Sequence, residues 1–368
     1  MRAFIFPFTY KQLPILKFMN ARDYGMIEVH PIVPPAFFKA EMNIGSLDNR
    51  YVDKDISILN SVKLINEIDR ENDMFYMTSG LGTVENIKFA IKQAKYLIER
   101  GIEVYCTLNT IERNIVKSID SNFFKSDLLK DINIKYKFTT PEKPIEKLIE
   151  PEIPIIGVGS LVGFSNKTEV LLSIYKAIRC RGEKIECITF DQLYSIIGAE
   201  VLDISDLLKS DFEQKILSLN WYINQVIKKT ECSILLIEIP SGLIKYSNSY
   251  LNGAGQFSYL FSQAFSIDYF ICCSVLNFNN IDFYLKTQEH LAYKFDYNKV
   301  YFHISNVLID MKTLIQNNMP SICFVSDDYR KKVVDNLNIE CKDVGIMNRL
   351  FFDLTKEEDI KYFLDSIS

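Results

Sequence analysis

The sequence predicts an α/β fold of two units, each built on a parallel sheet, and three observations predict it. Short apolar runs rich in β-branched and aromatic residues alternate with longer amphipathic segments along most of the chain, the pattern of right-handed β-α-β crossovers. The stretch Thr139 to Pro154 carries four prolines and alternating charges, and it separates two such series. The run Pro154-Ile-Ile-Gly-Val-Gly-Ser-Leu-Val-Gly-Phe-Ser-Asn-Lys-Thr-Glu169 reads as a strand, a glycine-containing loop and a helix start. The expected organisation is an N-terminal Rossmann-like α/β domain over 1–140, a linker over 141–153, and a doubly wound parallel-sheet domain over 154–368.

In chain order, the first series begins with a strand at Ala3 to Phe8, a helix from Lys11 into Ala21 and a strand at Met26 to Val33. A strand at Met74 to Thr78 follows, then the turn Ser79-Gly-Leu-Gly-Thr-Val-Glu, a helix Asn86 to Arg100 closed by Gly101, and a strand Ile102 to Leu108. The second series has strand 154–158, helix 169–181, strand Ile185 to Phe190, helical segments near 192–198 and 210–228, and strand Cys232 to Ile239. A helix near 254–265 leads to strands Tyr269 to Val275, Val300 to Ile304 and Ser321 to Val325. Ligands of such open sheets bind at the carboxyl ends of the strands.

Composition narrows the function classes. With 48% hydrophobic and 24% charged residues over 368 positions, the chain is neither disordered nor fibrous. A net charge of −5 supplies no general attraction to nucleic acid or anionic lipid, so no nucleic-acid or membrane partner is expected. The 8 cysteines form no C-x-x-C and do not pair with the 3 histidines at metal-ligand spacing, which fits buried free thiols in a reducing, cytoplasmic setting. The apolar N-terminal segment is broken by Pro7 and Pro14 and is too short for a signal peptide core. Tyr259 to Phe278 contains Ser262, Gln263, Ser266 and Asp268 and is not expected to span a membrane.

The chemistry concentrates at 154–169, which gives the second domain a P-loop NTPase-like character. Gly157, Gly159 and Gly163 are expected to allow positive φ and close approach of the backbone, with Gly159, Gly163, Asn166, Lys167 and Thr168 forming a cradle for the phosphates of ATP or GTP. Lys167 would reach the β/γ oxygens and Thr168 would enter a Mg²⁺ shell. Counted back from Lys167, the spacing G-x-x-x-x-G-K-[ST] requires glycine at 161 and 166, where this chain has Leu161 and Asn166. Asn tolerates left-handed geometry better than other non-glycine residues; Leu161 is the larger departure. Glu238 ends the apolar run Ser233-Ile-Leu-Leu-Ile-Glu, and Asp191 follows the strand 185–190 in the same way, so Thr168, Asp191 and Glu238 could supply oxygen ligands to Mg²⁺. Acids also gather at strand ends simply because chains surface there, and Lys167 could be a solvated lysine, although the helix dipole disfavours a cation at that end without an anion to meet it.

Other features read more plainly as structure. Ser79-Gly-Leu-Gly-Thr fits a turn better than an anion site; His30, His290 and His303 share no motif; and Cys272-Cys273 fits inert strand packing. Asn252-Gly-Ala-Gly-Gln and Ser326-Asp-Asp-Tyr are loop segments that could face a ligand or only turn.

Gly157-Val-Gly-Ser-Leu-Val-Gly-Phe-Ser-Asn-Lys-Thr-Glu169, followed about 70 residues later by Glu238-Ile-Pro-Ser-Gly-Leu243, resembles the clostridial peptide maturation system proteins, as does the opening Phe6-Pro-Phe-Thr-Tyr-Lys-Gln-Leu-Pro-Ile-Leu16. The second half of that family is similar to dethiobiotin-synthetase-like P-loop proteins, in which an acid within Glu-Gly-x-Gly-Gly assists Mg²⁺ and phosphate. Glu238-Ile-Pro-Ser-Gly242 matches that segment in part. The resemblance implies a cytoplasmic accessory factor for ribosomally made peptides, with a precursor peptide or a peptide-modifying enzyme as partner.

Two readings follow. In one, ATP or GTP with Mg²⁺ binds at 159–169, and Lys167 and Glu238 act in phosphoryl transfer or hydrolysis. In the other, the chain is a non-catalytic scaffold that binds a precursor peptide or modifying enzyme through a decayed P-loop fold. A Rossmann dinucleotide enzyme is disfavoured, because no G-x-G-x-x-G with an acid about 20 residues on follows a first strand.

Overall fold

The computed structural model describes residues 2–8, 14–15, 28–33, 42–43, 57–60, 68–69, 73–79, 81, 83–131, 146–202, 211–245, 251, 253–313 and 321–367. The expected helix Lys11 to Ala21, the first half of the 141–153 linker, Gly80, Gly82 and Asn252 lie outside the described residues, apart from 14–15. The chain divides into two compact units, Met1–Lys137 with Asp191–Asp203, and Phe138–Phe190 with Ile204–Ser368.

In the first unit the strands are β1 (Arg2–Phe6), β2 (Glu28–Val33), β3 (Met42–Asn43), β4 (Ser57–Asn60), β5 (Asp73–Thr78), β6 (Val104–Thr107) and β7 (Leu129–Asp131), ordered β3-β4-β2-β1-β5-β6-β7. All pairs are parallel except β3 with β4. Chain order reverses beside β1, which is the Rossmann arrangement the sequence predicts. The helix Val84–Glu99 starts at Thr83, whose side chain accepts from Asn86 N, and ends where Gly101 takes φ 79°. Ile87, Ala90, Ile91, Ala94 and Leu97 recur at helical spacing and bury one stripe against Phe4, Phe6, Phe75 and Met77. The expected turn residue Ser79 is fully used, its hydroxyl donating to Thr107 O at 3.2 Å and accepting from Asn109 N at 2.6 Å.

The remaining strands are β8 (Ile155–Ser160), β9 (Ile185–Thr189), β10 (Glu200–Val201), β11 (Ile234–Gly242), β12 (Tyr269–Ser274), β13 (Val300–Ile304), β14 (Val307–Asp310), β15 (Ser321–Phe324) and β16 (Phe351–Phe352). Among the strands of the second unit's main sheet, the order is β9-β11-β8-β12-β13-β16, every pair parallel. β8 is buried along its whole length between β11 and β12, and chain order reverses around it. The expected strand Ser321 to Val325 forms at Ser321–Phe324 but does not join this sheet. It pairs antiparallel with β14 in a two-stranded arm.

Side chains between sheet and helices fill the core. The Lys167–Cys180 helix buries Val170, Leu171, Ile174, Tyr175 and Ile178, and Phe212–Thr230 buries Leu219, Tyr222, Ile223 and Val226. Phe270 of β12 stacks on Tyr297 with ring centroids 4.2 Å apart. The second half of the expected linker is fastened rather than free: Asn220 accepts from Ile149 N at 2.9 Å and donates to Ile149 O at 2.8 Å, and Asn224 donates to the same carbonyl at 3.0 Å. Among the described residues no helix is long and apolar enough to cross a membrane.

Candidate functional site

β8 delivers the chain to the carboxyl end of the sheet at its switch point, where 161–166 form a loop and Lys167 opens a helix of 14 residues. The expectation that Gly157, Gly159 and Gly163 supply the positive φ angles is corrected: the two left-handed residues of the loop are Phe164 at φ 69° and Asn166 at φ 56°. Gly157 and Gly159 lie inside β8, and a Cβ on Gly159 would stand 2.5 Å from Phe270 Cζ, so close packing against β12 accounts for that glycine. Asn166 takes the conformation that a glycine at the strict motif position would take, as expected for Asn.

Leu161, at the other strict glycine position, is fully buried. Its N–H donates to Cys273 O at 2.9 Å, and its carbonyl accepts from Leu243 N and Ile244 N, both at 3.1 Å. The first half of the loop is thereby tied to β12 and to the segment after β11. Ser165 is 2% exposed, and its hydroxyl has no hydrogen-bond partner. Asn166 makes no side-chain cap to its own helix and donates instead to Asn306 Oδ1 at 3.1 Å.

Lys167 and Glu238 meet. Lys167 Nζ lies 3.0 Å from Glu238 Oε1 and donates to Ile239 O at 2.6 Å. The Ile239 carbonyl is available because β11 is irregular against β8 between Glu238 and Gly242, with Ser241 left-handed at φ 62°. Glu238 Oε2 accepts from Thr189 Oγ1 at 2.6 Å and Phe190 N at 3.3 Å. Burial pushes the Glu238 carboxyl up, but the Lys167 charge and the hydrogen bonds from Thr189, Lys167 and Phe190 N outweigh it and hold the group below the ordinary carboxylate range. The same two charges act on Cys273, whose thiol burial pushes well up, with Glu238 reinforcing and Lys167 opposing, so it is an inert packed thiol as expected.

Thr168 lies in the first turn of the helix, partly exposed. Asp191 belongs to the 191–203 segment of the first unit, where its carboxylate caps a short 3-10 helix, Gln192–Ile197, by accepting from Leu193 N at 3.0 Å. Among the described residues no cluster of three or more His, Cys, Asp or Glu side chains has a metal-holding arrangement. Of the other candidates, Ser326 caps the Asp327–Asp343 helix by accepting from Tyr329 N, and Asp327 pairs with Arg330 at 2.7 Å and Lys356 at 2.6 Å. His303 is fully buried and accepts from Leu354 N at 3.1 Å through Nδ1. Sequence reasoning missed Thr189, Ser165 and Asn306. Thr189 and Asn306 end or follow apolar strand runs, the same positional signal that pointed to Glu238.

No family model matches the chain, and no curated protein matches it. Among solved structures the chain is similar to a DUF1611 family protein from Anabaena variabilis, at 11% identity and a TM-score of 0.58, over 100% of this chain and 99% of that one. That likeness is one of fold. A LAO/AO transport system kinase also matches, at 8% identity and a TM-score of 0.23 over 77% of this chain and 82% of that one; at that score the match carries no structural argument.

Proposed function

We propose that the second unit binds the phosphates of a nucleoside triphosphate, ATP or GTP with Mg²⁺, at residues 163–168. The observation that carries this reading is Asn166 in the left-handed conformation directly before Lys167, at the N-terminus of a 14-residue helix and the carboxyl end of the central strand. The buried, unpartnered Ser165 hydroxyl fits an anion there, since leaving such a group unsatisfied costs about 1–3 kcal/mol. The helix N-terminus attracts negative charge, and Lys167 adds a full positive charge beside it.

On this reading Lys167 exchanges its contact with Glu238 for phosphate oxygens. The exchange frees Glu238 Oε1, and Thr168 and Glu238 would hold Mg²⁺, which when bound neutralises phosphate charge. Thr189 and Phe190 N keep Glu238 ionised and oriented throughout. The setting carried over from the sequence resemblance is that of an accessory protein in ribosomal peptide maturation, with a precursor peptide or modifying enzyme as partner. The test is calorimetric titration of ATP and of GTP, each with Mg²⁺, into the wild type, Lys167→Met and Glu238→Gln. The expected result is saturable binding that Lys167→Met weakens tenfold or more, about 1.4 kcal/mol, and that Glu238→Gln does not abolish.

A specific observation favours a second reading, a non-catalytic scaffold: Glu238 and the Ile239 carbonyl already satisfy Lys167 from within the chain. In that case the carboxylate permanently replaces the phosphate, and no variant binds nucleotide at millimolar concentration.

A further inference from the structure

We infer that Asn306 is the positioning residue of the phosphate loop and that its hold on Asn166 replaces the glycine the loop lacks. The inference rests on reading 163–168 as the phosphate cradle. A glycine reaches positive φ without cost, whereas an L-residue must be held there by its surroundings. Both left-handed residues of the loop are held by the same neighbouring segment. Asn166 Nδ2 donates to Asn306 Oδ1 at 3.1 Å. Phe164 packs against the buried cluster of Val162, Val275, Val307 and Ile309, which includes the inner face of β14 in the β14–β15 arm that Asn306 introduces.

Asn306 is itself firmly mounted. It is 1% exposed, and its carbonyl accepts from Val325 N at 2.8 Å. The preceding Ser305 N donates to Ser274 O at 2.9 Å, and the Ser305 hydroxyl accepts from Val307 N at 3.3 Å. Its grip also has a consequence for binding. An N-cap Asn bonds the first-turn N–H groups of its own helix from extended backbone. Left-handed and bonded to Asn306, Asn166 makes no such cap, and its side chain does not compete with an anion for those donors.

The test compares wild type, Asn306→Ala, Asn306→Asp, Asn166→Gly and the Asn306→Ala/Asn166→Gly double variant. The first arm needs no ligand: amide hydrogen exchange of 163–168 is expected to speed at least tenfold in Asn306→Ala and to stay near wild type in Asn306→Asp, which keeps an acceptor oxygen for Asn166. Unchanged exchange in Asn306→Ala overturns the inference. The second arm titrates inorganic tripolyphosphate with Mg²⁺. Asn306→Ala is expected to weaken binding tenfold or more, and adding Asn166→Gly to bring it back within threefold of wild type, because glycine takes the left-handed form unaided. A loss that glycine does not rescue overturns the inference, since a general defect in packing would behave in that way. If the wild type binds neither tripolyphosphate nor nucleotide, the phosphate reading falls, and the exchange arm alone decides the positioning role.

Discussion

Lys167 and Glu238 are each under one-sixth exposed, with side-chain values of 15% and 9%, so each is the other's main compensation for leaving water. Removing one partner of such a pair leaves an uncompensated buried charge, at about 3–5 kcal/mol. Lys167→Met is expected to lower stability by that order in urea unfolding, and Lys167→Met/Glu238→Gln to recover most of it; equal losses in both would show that the pair does not compensate. Titration gives a second handle. Because the folded carboxyl of Glu238 lies below its unfolded value of about 4.3, the unfolded chain binds the extra proton first as pH falls. The stabilisation is therefore complete above about pH 4.3 and is lost as pH drops through the folded value. Unfolding free energy followed between pH 6 and 3 is expected to fall more steeply for wild type than for Glu238→Gln, and parallel curves would contradict it. The pairing was half legible. Acid and lysine both stand out at strand and helix ends, but Thr189 becomes visible as a partner only when β9 is paired with β11, and Asn306 only when the segment after β13 is brought to the loop.

Elements differ in how openly they announce themselves. β8, β9, β11, β12 and β13 are apolar runs that a parallel sheet buries on both faces, so the sequence shows them to within a few residues. Ser321–Phe324 has strand composition, but nothing local says which edge it joins; only Val307–Asp310, which starts three residues after β13 ends, settles that it pairs in the β14–β15 arm. The helices Ile281–Phe295 and Asp327–Asp343 give a weak periodic signal because each buries few side chains, and β16 has only two residues. Packing explains Gly159. Phe270 is fully buried and stacked on Tyr297, so it has no room to retreat from a methyl group. Gly159→Ala is expected to lower stability by about 1–3 kcal/mol in thermal unfolding, and a neutral result would mean that β12 yields. Asn220 is 1% exposed and satisfies both main-chain groups of Ile149. Asn220→Ala is expected to cost about 1–3 kcal/mol and to expose 146–150 to limited proteolysis, whereas an uncut segment would mean that other contacts suffice.

At the scale of the whole molecule, most of the thiols are packed inside. Cys180 and Cys323 are exposed, and the other six cysteines are buried. Burial raises the thiols of Cys187, Cys272 and Cys273 well above their ordinary range. Native-state labelling with a maleimide is expected to modify Cys180 and Cys323 quickly and the remaining six only on unfolding; rapid modification of a third would reveal local opening. Composition predicts buried free thiols, and Cys180 and Cys323 depart from that because they sit at the Lys167–Cys180 helix end and on the β14–β15 arm. The central position of β8 has a consequence for biosynthesis. Ile155 finds its partner in Leu235 and Ile156 in Tyr269, so the first strand of this sheet has no neighbour until β11 has been synthesised. At about 5–20 residues per second, a ribosome needs roughly 4–16 s to cover that interval. For that time the nascent chain carries an unpaired apolar strand, and the newborn protein is open to aggregation until β11 arrives to cover it.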